Sequence, residues 1–147
     1  MEKLLFDNGI KEYEVNGNGV LRFNPSDPNL YARFLGATDQ IRAIEEELLK
    51  QGAGEEGNEN AGARVLRQME SADKKMKALL SDIFGAGNDF DKILEGVNLL
   101  AVASNGERVI NNLMDALTPI MSAGAKACAG EKIDQAKKNR AQRRANK

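Results

Sequence analysis

The spacing of apolar residues changes character at Pro25, and that change divides the chain. Before it, polar and apolar positions alternate. In Ile10–Val15 (IKEYEV) Tyr13 and Val15 share a face, and in Val20–Phe23 (VLRF) Leu21 and Phe23 do. A period of two is the signature of a strand. Between the runs stands Asn16-Gly17-Asn18-Gly19, two Asn-Gly pairs that tolerate positive φ in tight hairpin turns. Asp7-Asn8-Gly9 offers another turn, able to fold an opening strand, Lys3–Phe6, onto the hairpin. Residues 1–24 are therefore expected to form a β-hairpin or a three-stranded meander. So few strands do not hold together alone in water; they need helices or a partner behind them.

After Pro25 the period becomes helical. Asn24-Pro25-Ser26-Asp27-Pro28 ends the strand, with Asp27 as N-cap and Pro28 at the first helical position, where its missing N–H would be an orphan anyway. The helix is expected over 28–51. Leu30, Phe34, Ala37, Ile41, Ile44 and Leu48 make one stripe at threes and fours, and Arg33, Asp39, Gln40, Arg42, Glu46 and Glu47 lie opposite. Residues 52–62 (GAGEEGNENAG) are glycine-rich without a large apolar side chain, and read as a flexible linker. A second helix is expected over 63–84, with Leu66, Met69, Ala72, Met76, Leu79 and Ile83 as its stripe. Gly85-Ala86-Gly87 stops it.

Asn88 or Asp89 should cap a third helix with stripe Phe90, Ile93/Leu94, Val97 and Leu100/Ala101, leaving through Asn105-Gly106. A fourth, from about Glu107, carries Ile110, Leu113, Leu117 and Ile120/Met121, with Pro119 set to kink or end it. Gly130 separates a tail. The pattern predicts a mainly α protein of about four amphipathic helices with a small N-terminal β element: one domain over 1–130, its helical part running from 63 to 130, then a tail over 131–147. That tail has Ile133 as its one large apolar residue and is expected to be flexible or a frayed helix.

Composition narrows the chemistry. A chain of 147 residues suffices for one domain with a real core. With 5% aromatics and no Trp, that core rests on Leu, Ile, Val, Met and Ala, which suits helix-on-helix packing. No apolar run approaches the ~20 residues of a membrane span, and Met1-Glu2-Lys3-Leu4-Leu5-Phe6 meets Asp7 too soon for a signal peptide. There is no His, so Ser-His and Cys-His nucleophile pairs are excluded, and with them the commonest zinc ligand. A single cysteine, Cys128, cannot form an internal disulfide and reads as a buried or half-buried thiol. Gly17-Asn18-Gly19, Gly52-Ala53-Gly54 and Gly85-Ala86-Gly87 each lack the third glycine and the strand–helix setting of a phosphate loop. Glu45-Glu46-Glu47 point around a helix; Asp89, Asp91 and Glu95 lack the rest of a calcium loop and suit a helix start. No catalytic residue, cofactor or metal is expected.

Charge is lopsided. Residues 131–147 hold seven Lys/Arg against Glu131 and Asp134, net +5, while the remainder is net −6. The basic group is Lys137, Lys138, Arg140, Arg143 and Arg144. No aromatic interleaves it to stack on bases, and the acidic body repels a polyanion, so nucleic acid is not the favoured partner. A solvated segment, or one docking on an acidic protein surface, fits better. The helical stripes are mainly core, yet four amphipathic helices around a mobile linker leave room for a partner groove. Leu30, Phe34, Ile41, Ile44, Leu48, Met69 and Met76 are its candidate lining, and the methionines, Met114 and Met121 included, supply adaptable surface.

The run "KEYEVNGNGVLRFNPSDPNLYARF" and the acidic "IEEELL" at the end of the following helix resemble small tail-module proteins of long-tailed phages and prophages of Gram-positive bacteria, the tail assembly chaperones. The likeness covers mainly Tyr13–Leu49; the 52–62 linker departs from it. It implies a non-enzymatic protein of the bacterial host cytoplasm. Such a protein binds the long helical tape measure protein, or its tail tube neighbours, and keeps it soluble until the tube polymerises around it. A homo-oligomer is compatible with the same features. Two other readings compete: a virion tail subunit whose β element joins a neighbouring sheet edge, and a nucleic-acid accessory protein acting through the basic tail.

Overall fold

The computed structural model describes residues 1–52, 61–131 and 139–144. It is mainly α with an N-terminal hairpin, in the order β1 (Lys11–Val15), β2 (Gly19–Phe23), α1 (Pro28–Gly52), α2 (Ala61–Phe84), α3 (Phe90–Ile93), α4 (Val109–Lys126) and a π-helical turn, Ala127–Glu131. The expected linker lies mostly outside the described residues; within them, Gly52 ends α1 and Ala61 begins α2.

β1 and β2 are antiparallel, pairing Lys11 with Phe23, Tyr13 with Leu21 and Val15 with Gly19. Asn16 (φ 52°) and Gly17 (φ 73°) supply the two successive positive φ of a primed turn. The Asn18 N–H closes it on the Val15 carbonyl at 3.0 Å. Gly19 is required for a different reason, since a Cβ there would sit 2.7 Å from the Ile93 Cα of α3. Among the described residues the sheet has these two strands alone: residues 1–10 form neither strand nor helix and, Gly9 apart, are exposed. Asp7 and Asn8 spend their side-chain oxygens on the N–H groups of Gly9 and Ile10. The Asn8 carbonyl accepts from Asn24 Nδ2 at 3.0 Å, which draws this segment toward the β2 side.

α1 starts as its cap predicts. Asp27 Oδ1 accepts the Asn29 N–H at 2.9 Å, and its carbonyl accepts from Tyr31. α1 and α2 pack along one another, and each fills the other's stripe: Leu30, Phe34, Ala37 and Ile41 from α1, and Ala72, Met76, Leu80 and Ile83 from α2, are all buried. Phe84 is the junction. Its ring lies 5.0 Å from Phe23 edge-on, 6.3 Å from Phe34 and 5.8 Å from Phe90, and Tyr13 stacks on Phe23 at 4.9 Å. Hairpin, α1, α2 and α3 thus meet on one aromatic side chain.

Three expectations are corrected. The third helix is only four residues long. Asp89 caps it as predicted, accepting from the Asp91 and Lys92 N–H groups. Glu95 (φ 57°) and Gly96 (φ 76°) then close it, with Glu95 N–H on the Lys92 carbonyl and Gly96 N–H on the Asp91 carbonyl, the paired bonds of a Schellman end. Beyond it Leu99 and Leu100 are buried from a non-helical segment, and Gly106 (φ 84°) turns a loop in which Val102 bridges Arg108.

Pro119 does not end α4, which runs on to Lys126. Both Pro119 and Asp115, whose carbonyl it leaves without a helical donor, are exposed, so the lost bond leaves no buried polar group. Leu117 and Met121 bury on the other side of the helix. Nor does Gly130 mark a break, since the π-helical turn carries through it to Glu131. Gly124 lets α4 touch the start of α1: a Cβ there would overlap the Pro25 carbonyl.

One buried amide holds hairpin and helices together. Asn88, 5% exposed, accepts the Arg22 N–H on Oδ1 at 2.9 Å and donates from Nδ2 to the Arg22 carbonyl at 2.9 Å and the Phe84 carbonyl at 3.0 Å. Its own carbonyl accepts from the Ser81 hydroxyl. Asn88→Ala would strand a donor and two acceptors at a buried junction, and is expected to lower the unfolding free energy by about 2–4 kcal/mol. Urea denaturation with an unchanged m-value measures this, and a loss below about 1 kcal/mol would contradict the assigned role.

Candidate interaction surface

The residues singled out for partner binding separate into two groups. Leu30 (2% exposed), Phe34 (6%), Ile41 (7%) and Met76 (0%) belong to the interior and offer nothing to a partner in this conformation. The stripes of α1 and α2 satisfy each other, so the groove expected between them is filled. Ile44, Leu48 and Met69 are half-buried at its margin. The methionines do not converge either, because Met76 and Met121 are fully buried while Met69 and Met114 are half-buried on different helices.

What remains outside is the end of the α1–α2 pair. Leu49 is 70% exposed, Leu66 67% and Val65 36%. They continue from the half-buried Leu48 and Met69, so the two helices carry apolar side chains past the point where the core stops covering them. A shallow groove beside them is lined by Ile44, Glu47, Leu48, Gln68, Ser71, Ala72 and Lys75. Within it Gln68 Oε1 is buried and accepts no hydrogen bond from the described residues. An exposed apolar patch with a polar rim has the form of a protein-contact surface. A second exposed apolar group, Leu4, Leu5 and Phe6, lies in the segment before β1.

Of the basic group, Arg140, Arg143 and Arg144 lie exposed on a helical stretch over 139–144, where their spacing places them on one face. Lys137 and Lys138 fall outside the described residues. Cys128 is half-buried, as expected.

The most buried charges were missed by the pattern. Lys77, with 9% of its side chain exposed, lies 2.9 Å from Asp73 Oδ2 and 2.7 Å from Asp91 Oδ1. The other Asp73 oxygen accepts the Leu99 N–H at 2.8 Å, and Asn98 donates to the Met69 carbonyl. Asp73 and Lys77 occupy the inner face of α2, one turn apart, between Ala72, Met76 and Leu80. Two polar residues at i and i+4 inside an apolar stripe were the available signal. Desolvation pushes the Lys77 ammonium toward losing its proton, but the hydrogen bonds and charges of Asp91 and Asp73 outweigh it and hold the group above its ordinary 10.5.

The cluster is a cation between two carboxylates that ties α2 to α3, and a hollow of about 500 Å³ lined by Glu70, Asp73, Lys74, Lys77, Asp91, Gly96 and Asn98 opens beside it. No group of three or more potential metal-ligating side chains occurs among the described residues. No helix among them is long and apolar enough to cross a membrane. Comparison with protein-family models, with curated proteins and with solved structures finds no match for the chain.

The raised Lys77 value fixes the sign of a pH dependence. A group that binds its proton more tightly folded than unfolded stabilises fully below the unfolded value, and that stabilisation disappears as pH climbs through the folded one. Lys77→Met, which leaves Asp73 buried without its cation, should cost about 3 kcal/mol at neutral pH. The gap between wild type and variant should stay level to about pH 10 and shrink above it. Denaturation series of both proteins from neutral to strongly alkaline pH would measure this, and a gap that widens with pH would refute the assignment.

Proposed function

We propose that this chain is a non-enzymatic assembly chaperone or adaptor for an amphipathic helical protein, the partner being the tape measure protein of a long-tailed phage. The observation that carries the reading is the uncovered apolar end of the α1–α2 pair, where Leu49, Val65 and Leu66 stand exposed beside half-buried Leu48 and Met69. The sequence likeness over Tyr13–Leu49 supplies the partner's name.

The physics of the role is simple. A long amphipathic helix exposes an apolar stripe that aggregates unless something covers it. A chaperone must cover that stripe and later let go. Two or three exposed aliphatic residues backed by an adaptable methionine give contact of modest strength, which dissociates readily when a tube subunit competes. A deep, fully enclosing groove would hold too tightly. The shallow margin along Ile44 and Leu48 extends the contact strip for the same helix at little cost in release rate.

Leu49→Glu combined with Leu66→Glu separates this surface from the fold. Both residues are exposed, so the double variant should unfold within about 0.5 kcal/mol of wild type. Co-expressed with a tape measure protein of a long-tailed phage, the wild type should raise that protein's soluble fraction and co-purify with it, and the double variant should do neither. A tape measure protein equally soluble with and without this chain would sink the reading.

A further inference from the structure

The two edges of the small sheet are treated differently. At β2 the side-chain amide of Asn88 takes both main-chain groups of Arg22, so that edge is closed. At the outer edge of β1 no strand pairs among the described residues: their sheet consists of β1 and β2, and that edge runs the length of Lys11–Val15. An open edge of this kind is a template for another strand. The same molecule carries an unpaired candidate. Leu4, Leu5 and Phe6 are 85%, 87% and 75% exposed, and Phe6 is the one phenylalanine of five outside the core.

The segment cannot serve its own edge in this arrangement. Its base at Asn8 is bonded to Asn24 on the β2 side, and Asn8 and Ile10 line a hollow with Arg22, Phe23, Leu30, Arg33 and Phe84. That position lies across β2 from the free edge of β1.

We propose that residues 3–6 of one copy pair antiparallel with the free edge of β1 in a second copy, reciprocally, to form a two-fold dimer. Charge selects this pairing. On β1, Tyr13 and Val15 share the inner face and Glu12 and Glu14 the outer one. With Leu4 opposite Tyr13, the arm places Phe6 beside Lys11 on the inner face, next to the Tyr13–Phe23 stack. Lys3 then falls opposite Glu14. Opposite charges directly across a ladder favour pairing and like charges oppose it. The competing symmetric arrangement, β1 against β1 centred on Tyr13, sets Glu12 against Glu14 twice and is rejected by the same rule.

Two arms laid along two edges bury on the order of 1,000 Å² in total, near the lower limit for specific association, so the dimer should be of micromolar strength. This inference is independent of the tape measure reading.

Sedimentation equilibrium across micromolar to submillimolar concentrations tests it. Wild type should show a monomer–dimer equilibrium, and a chain lacking residues 1–7 should stay monomeric with an unchanged thermal midpoint, since those residues touch no core. Lys3→Glu should weaken the dimer about tenfold, and combining it with Glu14→Lys should bring the constant back to within about threefold of wild type. A wild-type chain monomeric throughout, a truncated chain that still dimerises, or a charge swap that fails to restore association would each overturn the proposal.

Discussion

Two five-residue strands with a three-residue turn have too little buried surface to persist in water, and the hairpin of this chain is kept by one amide placed against its edge. A strand edge presents an N–H and a carbonyl at the same residue, and the primary amide of asparagine is the side chain whose donor and acceptor match that pair. Asn88 therefore acts as a third strand one residue long. Its position depends on Gly85, whose φ of 114° turns the chain out of α2, and on Asp89, which starts α3 immediately afterwards. Because the same amide also bonds the Phe84 carbonyl, the hairpin cannot shift along β2 without uncovering the aromatic junction beneath it. The packing of Phe23, Phe34 and Phe90 around Phe84 follows from that registration.

Buried charge supplies a second registration where apolar side chains alone would be permissive. The stripe of α2 is built from Ala, Met, Leu and Ile, which tolerate rotation and sliding with modest loss. Lys77 removes that tolerance by binding Asp73 on its own helix and Asp91 on α3 together, while Asp73 also holds the Leu99 N–H. Helix, short helix and the irregular segment after it are tied at one point with every strong donor there engaged. Such a cluster adds less net stability than a good apolar contact of equal volume would, but it permits a single alignment.

The parts of this fold readable from sequence are those set by neighbours in the chain. Hairpin, turn, cap and first helix follow from period and local hydrogen bonding among residues 10–31, and they stand where the pattern puts them. The misread parts depend on distant atoms. Phe90, Leu94, Val97 and Ala101 are spaced for a helix, but Glu95 and Gly96 end it, and Leu99 is buried because Asp73 reaches it from α2. On α2 the pattern favours Leu79, whereas Leu80 is the buried residue, because Asp73 and Lys77 turn the inner face toward the positions that polarity seems to disqualify. Periodicity likewise identifies Leu30, Phe34, Ile41 and Met76 as a stripe without revealing that the neighbouring stripe covers them. Leu49 is exposed because it stands off the stripe of α1, whereas Leu66 lies on the stripe of α2 and is exposed because that helix outruns the core, a matter of relative length invisible in either helix alone.

Two groups among the exposed apolar residues differ in recognition chemistry. Leu4, Leu5 and Phe6 belong to a segment outside helix and strand, whose main chain is open to strand pairing with side chains choosing register; Leu49, Val65 and Leu66 belong to helices, where side chains do all the work. Nineteen residues of α1 separate Leu30, beside the hairpin, from Leu49, which at the rise of an α-helix is roughly 28 Å. One small partner cannot bridge that distance, so the two sets are separable by mutation. In the proposed dimer valence would link them. A dimer joined at its hairpins carries two helical ends on one body, and a partner presenting a repeating apolar stripe meets the second end at an effective concentration far above that in bulk. Weak, quickly released contacts at each end then add up to a firm grip only while both are engaged, which lets a protein hold a long helix and surrender it stepwise.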